Sequence, residues 1–450
     1  MSEQATEKSF GTTAVHAAKH DEYSSMPVYM AATSIVCRKI LTVCVYKNKR
    51  GISMKSLRQA SRAKIYIGLI LMALCYASHV LAQTPRQITL ATAFNLHSKV
   101  LDEERTIVVA LPAEYEDSDA QYPVLYLLDG MQNIWHVVGS TEVLTRTGHV
   151  PPVIIVGIKS VNRIRDFTPS SVKEIPYSGG GGKFLEFISS ELMPYIDSNY
   201  RTHPYRILEG HSLGGVFTAN TLMERTDLFN AYIVMSPAFW WNKEEMAQKA
   251  KTFFEAHSTL NKSLYFSIGT EDGMGMRNEL TRFVEVIQQH QPEDLRWEHR
   301  EMDGEGHMSA PLLTNYFGLK FVFADMQLPE QLWSAYDNAA FLAHETKIMD
   351  KYGKAAKQSG ENYVTLALGL MKEKNYDEAI TVFKRNVEAY PLYPPNHAWL
   401  ADAYEQNKDY AKALETYQQA LERSMKTNYG QEEKYTSYIE RLKEFLEDKD

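Results

Sequence analysis

Gly210-His211-Ser212-Leu213-Gly214 sits between the strand-like run Tyr205-Arg206-Ile207-Leu208 and the small-residue run Gly215-Val216-Phe217-Thr218-Ala219. It reads as a nucleophile elbow. A serine there occupies a sharp strand-to-helix turn, the flanking glycines let the backbone close, and the hydroxyl projects above the sheet. A G-x-S-x-G match arises by chance on the order of 0.1–0.2 times in a chain of this length, so the flanking strand and helix carry the reading. The bland alternative is a serine that merely starts a helix.

The partners of such a serine follow it in the order acid, then histidine. Leu264-Tyr265-Phe266-Ser267-Ile268 reads as a buried strand ending in Gly269-Thr270-Glu271-Asp272-Gly273, where a triad acid belongs. Asp272 is favoured and Glu271 is the alternative; either could instead cap the helix that begins near Met276. Leu295 to Glu301 alternates like an outer strand, and the glycine-flanked loop Gly304-Glu305-Gly306-His307-Met308-Ser309 carries the histidine. Ser212 is a poor nucleophile at its own pKa. His307 would take its proton and return it to the leaving group, and the acid would fix the imidazole tautomer.

Upstream, Tyr122-Pro123-Val124-Leu125-Tyr126-Leu127-Leu128 is a nearly unbroken apolar run, as expected of a parallel strand covered on both faces, and it stops at Asp129-Gly130-Met131. The N–H of Leu213 would be one oxyanion donor, and the turn at Gly130 and Met131 would supply the second. Loss of one such donor costs about 3–4 kcal/mol of barrier. Val153 to Ile158 and Ala231 to Met235 are further buried strands with helical patterns between them. The alternation predicts an α/β fold, a doubly wound, mostly parallel sheet.

Residues from about Lys99 to Phe323 resemble the esterase branch of the α/β hydrolases that includes siderophore (enterochelin-type) esterases, feruloyl esterases and related carboxylesterases. The resemblance rests on Tyr122 to Gly130, Arg163-Ile164-Arg165-Asp166-Phe167-Thr168-Pro169, Gly210 to Gly215, and Ser236-Pro237 with Trp240-Trp241. It implies an α/β-hydrolase fold and carboxylic-ester hydrolysis by Ser212 and His307. It also puts Arg163, Arg165 and Trp240 near the mouth of the site as substrate contacts. Two plain readings stand beside it: Arg163, Arg165 and Asp166 as an ion-paired loop, and the two indoles as core. Glu209 departs from the pattern, because the strand before the elbow usually carries a small or apolar residue there. Ser178-Gly179-Gly180-Gly181-Gly182-Lys183 lacks the spacing of a phosphate loop, with Tyr177 and Phe184 at the required positions, and reads as a mobile loop or lid.

Residues 54–82 have the pattern of a secretory signal peptide. Met54, Lys55, Arg58, Arg62 and Lys64 make a basic start, Ile65 to Ala77 is apolar, and Val80 and Ala82 occupy the −3 and −1 positions. Cleavage after Ala82 predicts a periplasmic or secreted protein, with residues 1–53 a non-native or untranslated extension. The competing reading is an uncleaved anchor, short for the roughly 20 residues of a span. Cys37, Cys44 and Cys75 all precede Gln83. Residues 1–82 hold 11 Lys+Arg and 4 Asp+Glu of the 48 and 56 in the chain, so the mature part has 37 against 52, a net charge of −15. Such a balance argues against nucleic acid as a partner. No Cys-x-x-Cys, His-Glu-x-x-His or EF-hand spacing occurs, so neither a metal nor a cofactor is expected.

After about Leu328 the composition turns to Ala, Glu, Lys, Tyr and Leu at helical spacing. Leu366, Ala367, Leu370, Tyr376, Ala379, Phe383 and Val387 recur 34 residues later as Leu400, Ala401, Tyr404, Tyr410, Ala413, Tyr417 and Leu421. This period resembles the tetratricopeptide repeat. The expected organisation is a hydrolase domain over 83–328, a helical linker over 329–360, and an all-α repeat module over 361–450 whose last helix, Tyr435 to Leu446, caps it. The repeats would engage a protein partner or a second copy, and truncation before about Gln331 is expected to leave small-ester turnover within a few-fold. The leading function is a serine esterase acting on a small acyl or siderophore-like ester. A non-catalytic scaffold on a decayed hydrolase fold and an acyltransferase are the alternatives.

Overall fold

The computed structural model describes residues 88–273 and 275–448. The leader expected over 54–82 and the extension over 1–53 lie outside the described residues. The sheet contains β1 (Thr92–Ser98), β2 (Glu103–Ala110), β3 (Tyr122–Leu128), β4 (Ile154–Ile158), β5 (Thr202–His211), β6 (Ala231–Met235), β7 (Thr259–Gly269) and β8 (Glu293–Met302). Their order is β1-β2-β4-β3-β5-β6-β7-β8. β2 runs antiparallel to both its neighbours, and every pairing from β4 onward is parallel. β3, β4 and β6 are buried at every position, which is why their sequences are continuous apolar runs rather than alternating ones. β8 alternates because it is an edge strand, paired only with β7.

Helices fill the crossovers on both faces. α1 (Gly130–Arg146) follows β3, and α2 (Arg163–Phe167) follows β4. α3 (Gly181–Phe187) continues through a wide turn at Ile188–Leu192 into α4 (Met193–Asn199). α5 (Leu213–Glu224), α6 (Trp241–Ala256), α7 (Met276–His290) and α8 (Ala310–Val322) follow β5, β6, β7 and β8. Side chains alternate across each strand. Val124, Tyr126 and Leu128 therefore join Phe184, Phe217 and Phe283 in one core, while Leu125 and Leu127 join Ile134, Leu319 and Phe323 in the other. Each such side chain contributes about 1.5–3 kcal/mol on burial.

The chain continues as α9 (Glu330–Ser334), α10 (Asn338–Tyr352), α11 (Gly360–Lys372), α12 (Tyr376–Ala389), α13 (Pro394–Gln406), α14 (Tyr410–Thr427) and α15 (Glu432–Glu447). Residues one period apart are buried alike: Leu366 and Leu400, Ala367 and Ala401, Ala379 and Ala413, Phe383 and Tyr417. α10 belongs to both parts. Its Ile348 and Tyr352 lie in the core of the sheet domain, with the Tyr352 ring 4.8 Å from Tyr205 and 4.9 Å from Phe323. Its Phe341 lies in the core of the array.

Candidate active site

Ser212 occupies the junction of β5 and α5 with φ 59° and ψ −118°. A non-glycine residue in this conformation costs about 1–3 kcal/mol and persists only where its surroundings impose it. The surroundings here are specific. The Ser212 N–H donates to the carbonyl of Met235 at 3.0 Å, and its carbonyl accepts from Val216 and Ala238, both at 3.1 Å. At Gly210 a Cβ would lie 2.4 Å from the Gly214 carbonyl oxygen and 2.6 Å from Thr218 Oγ1, so no other residue fits. Leu213 is the first residue of α5, and its amide is among those that a helix leaves without an intrahelical acceptor.

The two neighbouring acids part company in the fold. Asp272 turns inward, its side chain fully buried, and Oδ1 lies 2.8 Å from Nδ1 of His307. Glu271 is exposed, and its backbone N–H is tied to the carbonyl of Glu305 at 3.0 Å. A carboxylate only accepts, so Nδ1 carries the imidazole proton and Nε2 is left as the base. His307 stays 32% exposed and packs against the ring of His211, residue before the serine, at 4.4 Å between centroids. Burial, reinforced by the charges of His307 and Arg163, pushes the His211 imidazole down to about 3. His211 is therefore a neutral platform at ordinary pH.

The turn after β3 is built as tightly. Asp129 is left-handed, with φ 52° and ψ 40°, and a Cβ on Gly130 would lie 2.5 Å from the backbone of Gly157 in β4. The Asp129 carboxylate accepts from the Ser160 hydroxyl and from Arg163 Nε at 3.0 and 3.2 Å. A second Arg163 nitrogen donates to the carbonyl of His211 at 3.2 Å. Arg163 thus bridges the turn at Gly130 and Met131 to the elbow that presents Leu213, a use the sequence did not disclose.

Arg165 is engaged by two carboxylates. Its Nε donates to Asp166 at 2.7 Å and its terminal nitrogens to Glu103 at 3.0 and 2.6 Å, beside the fully buried Arg105, which bonds Asp166 at 2.8 Å. These pairings agree with the ion-paired-loop reading of Arg165 and Asp166. Trp241 is core, its indole N–H directed at Ser170 Oγ at 3.3 Å, whereas Trp240 is 41% exposed. The glycine run is not a loose lid. The amides of Gly179, Gly180 and Gly181 donate to Thr168 Oγ1, Arg165 O and Thr168 O at 2.7–3.0 Å, and a Cβ on any of the three would meet that segment at 2.5–2.9 Å.

A cleft of about 330 Å³ opens between the first turns of α1 and the His307 loop, with Gln132, Asn133 and His136 on one wall and Met308, Pro311 and Leu312 on the other. Met131, Trp135, Trp240, Met308 and Leu312 are exposed, and all sit on loops or in the first two helical turns beyond the C-terminal ends of strands, where sheets of this type bind ligands. Another cleft of about 300 Å³, by His203, Lys262 and Lys351, borders the start of β5, at the far end of that strand from Ser212. Among the described residues no group of His, Cys, Asp and Glu is placed to hold a metal ion.

Residues 98–310 match the family described as "Putative esterase", and residues 370–431 match a tetratricopeptide repeat. The chain is 29% identical over 223 residues to the ferri-bacillibactin esterase BesA of Bacillus subtilis (strain 168), covering 44% of this chain and 77% of that protein. It is 28% identical over 171 residues to the siderophore triacetylfusarinine C esterase of Aspergillus fumigatus, covering 34% and 58%. The crystal structure of an IroE-like serine hydrolase from Shewanella oneidensis superposes with a TM-score of 0.55 at 25% identity, over 63% of this chain and 95% of that one. An uncharacterised protein from Capnocytophaga ochracea shares the fold over 78% of this chain and 99% of its own, with a TM-score of 0.52 at 18% identity. That span exceeds the sheet domain. Over residues 98–310 the chain is similar to the esterase branch of the α/β hydrolases, followed by a stretch similar to a tetratricopeptide repeat, and this likeness supports a carboxylic ester hydrolase.

Proposed function

We propose that the chain cleaves its ester through an acyl-enzyme on Ser212. The observation that carries this reading is the 2.8 Å bond between buried Asp272 and His307 Nδ1, beside the strained turn of Ser212. His307 Nε2 takes the Ser212 hydroxyl proton as Oγ attacks the ester carbonyl carbon. The oxyanion is received by the N–H of Leu213 and an N–H of the Gly130–Met131 turn, while Asp272 stabilises the imidazolium. The C–O bond to the alcohol breaks as His307 returns the proton to it. Water, deprotonated by His307, then attacks the acyl carbon, releasing the carboxylic acid and restoring Ser212.

The substrate proposed is a small acyl or siderophore-like ester. The two relatives described above are esterases of siderophores by name, and the cleft, lined by polar and apolar side chains together, suits a bulky group of mixed character. The leader pattern supports an activity outside the cytoplasm, and the repeat array supports engagement of a protein partner or a second copy. The test is hydrolysis of p-nitrophenyl esters of increasing chain length beside siderophore and feruloyl esters. A preference for siderophore esters over short p-nitrophenyl esters supports the proposed class; turnover confined to short esters contradicts it.

A further inference from the structure

Glu209, three residues before Ser212, is fully buried in the middle of the sheet. Burial raises its carboxyl to about 8. Both its oxygens lie within reach of the Asn315 side-chain amide, at 3.0 and 2.9 Å. Asn315, itself fully buried on α8, lies with Oδ1 against the hydroxyl of Ser140 on α1, whose single proton is shared between Oδ1 and the carbonyl of His136 at 2.7 Å. The preceding residue, Thr314, donates to its own helix at Ala310 O (2.8 Å) and so receives its bond from the hydroxyl of Ser267 on β7. Two adjacent residues therefore bind α8 to three other elements.

Those elements are the ones that carry the rest of the site. β5 ends in Ser212, β7 leads into the turn of Asp272, and α1 begins at the Gly130–Met131 turn. α8 starts three residues after His307. Apolar packing alone would hold α8 on the sheet, but it is non-directional and leaves the helix free to slide or rotate slightly. Hydrogen bonds restrict distance and angle. A buried carboxyl and a buried amide are unfavourable in such a core unless paired, and here the pairing is with the one helix whose register sets the histidine loop.

We propose that Asn315 is a positioning residue for His307, keyed to the nucleophile strand by Glu209 and to the oxyanion helix by Ser140. The proposal rests on the ester-hydrolase reading above. It adds a polar junction beneath the site that fixes the register of the histidine relative to the serine, the acid and the oxyanion turn together. A displacement near 1 Å at a reacting group costs on the order of 100-fold in rate, so a modest shift of α8 is sufficient to be seen.

The experiment compares the parent with Asn315→Leu, Ser140→Ala, Glu209→Leu and Glu209→Gln on a soluble p-nitrophenyl ester, with kcat expressed per site titrated by a fluorophosphonate so that misfolded molecules do not count. Asn315→Leu and Glu209→Leu are expected to lose roughly 10–100-fold in kcat with KM within about threefold, and to shift the acid limb of the pH profile of kcat/KM. Glu209→Gln, which keeps an acceptor for Asn315, recovers most of the loss. A lower melting temperature with unchanged kcat per titrated site overturns the proposal, as does equal activity of Glu209→Leu and Glu209→Gln. If Asn315→Leu does not fold, Ser140→Ala decides, with a loss of about 3–10-fold expected and an unchanged kcat contradicting the proposal. A parent that hydrolyses no ester refutes the ester-hydrolase reading and this one with it. An active parent and an inert Ser212→Ala beside a fully active Asn315→Leu overturn the positioning role alone.

Discussion

Arg163 donates its Nε to Asp129 Oδ1 at 3.0 Å, and the same guanidinium reaches the carbonyl of His211. One side chain therefore fixes the spacing between the backbone turns at Gly130 and at Ser212. Arg163→Ala is expected to lower kcat by about 10–100-fold, less than the roughly 10²–10³-fold seen when an oxyanion donor is removed outright, while KM changes little. Arg163→Lys does not restore it, because a lysine lacks the fork that spans both acceptors. A rise in KM at unchanged kcat would show instead that Arg163 holds substrate.

The acid is decided by the direction each carboxyl takes. Asp272→Asn is expected to reduce kcat by about 10³–10⁴-fold, since the amide leaves the wrong tautomer or an unpaired Nδ1. Glu271→Gln, altering an exposed side chain, stays within about twofold of the parent. Steady-state kinetics on both amides checks this, and equal activity of the two would leave a Ser212–His307 dyad.

Two buried groups give stability a dome in pH. Glu209 holds its proton in the folded state up to about 8 against an ordinary value of 4.5, so its contribution is complete below about 4.5 and is lost as pH rises through 8. His211, pushed down to about 3 from 6.5, contributes above 6.5 and its contribution is lost as pH falls towards 3. The two slopes oppose each other between about 4.5 and 6.5, so melting temperatures should fall from about pH 6.5 to 8, and Glu209→Gln should remove that fall and leave stability rising up to about 6.5. An unchanged alkaline slope in Glu209→Gln would remove Glu209 from the account.

The strands were legible because a parallel sheet covered on both faces demands uninterrupted apolar runs, as in Tyr122 to Leu128. The repeat was legible because Ala367 and Ala401, or Ala379 and Ala413, must be small to let helices meet. Long-range pairings were not. Asn315 lies 106 residues from Glu209, and no local pattern marks an asparagine that will face a buried carboxyl. Arg163 and Arg165 are indistinguishable in sequence, yet one bridges two turns and the other is absorbed by Glu103 and Asp166. The glycines of 179–181 suggested mobility, whereas their missing side chains serve close backbone contact with residues 165–171.

The same limit applies to the border between domain and array. A cut before Gln331 removes Ile348 and Tyr352 from the sheet-domain core, so that fragment is expected to be insoluble or to melt far below the parent. A cut after Ser359 retains them. The longer fragment should turn over a small soluble ester within a few-fold of the full chain, and light scattering on both reports any association the array provides. Equal thermal stability of the two fragments would contradict this boundary.

The leader reading is checked by mass spectrometry of exported protein, with Gln83 expected at the N-terminus. A mature chain that retains Cys75 would favour the anchor instead.

Everything proposed for the site depends on Ser212 being its nucleophile. The most direct test is p-nitrophenyl ester turnover by the parent and by Ser212→Ala, with circular dichroism on both. A loss on the order of 10⁴-fold or more is expected in a variant that remains folded. A folded Ser212→Ala protein that keeps most of the parent's rate would contradict it.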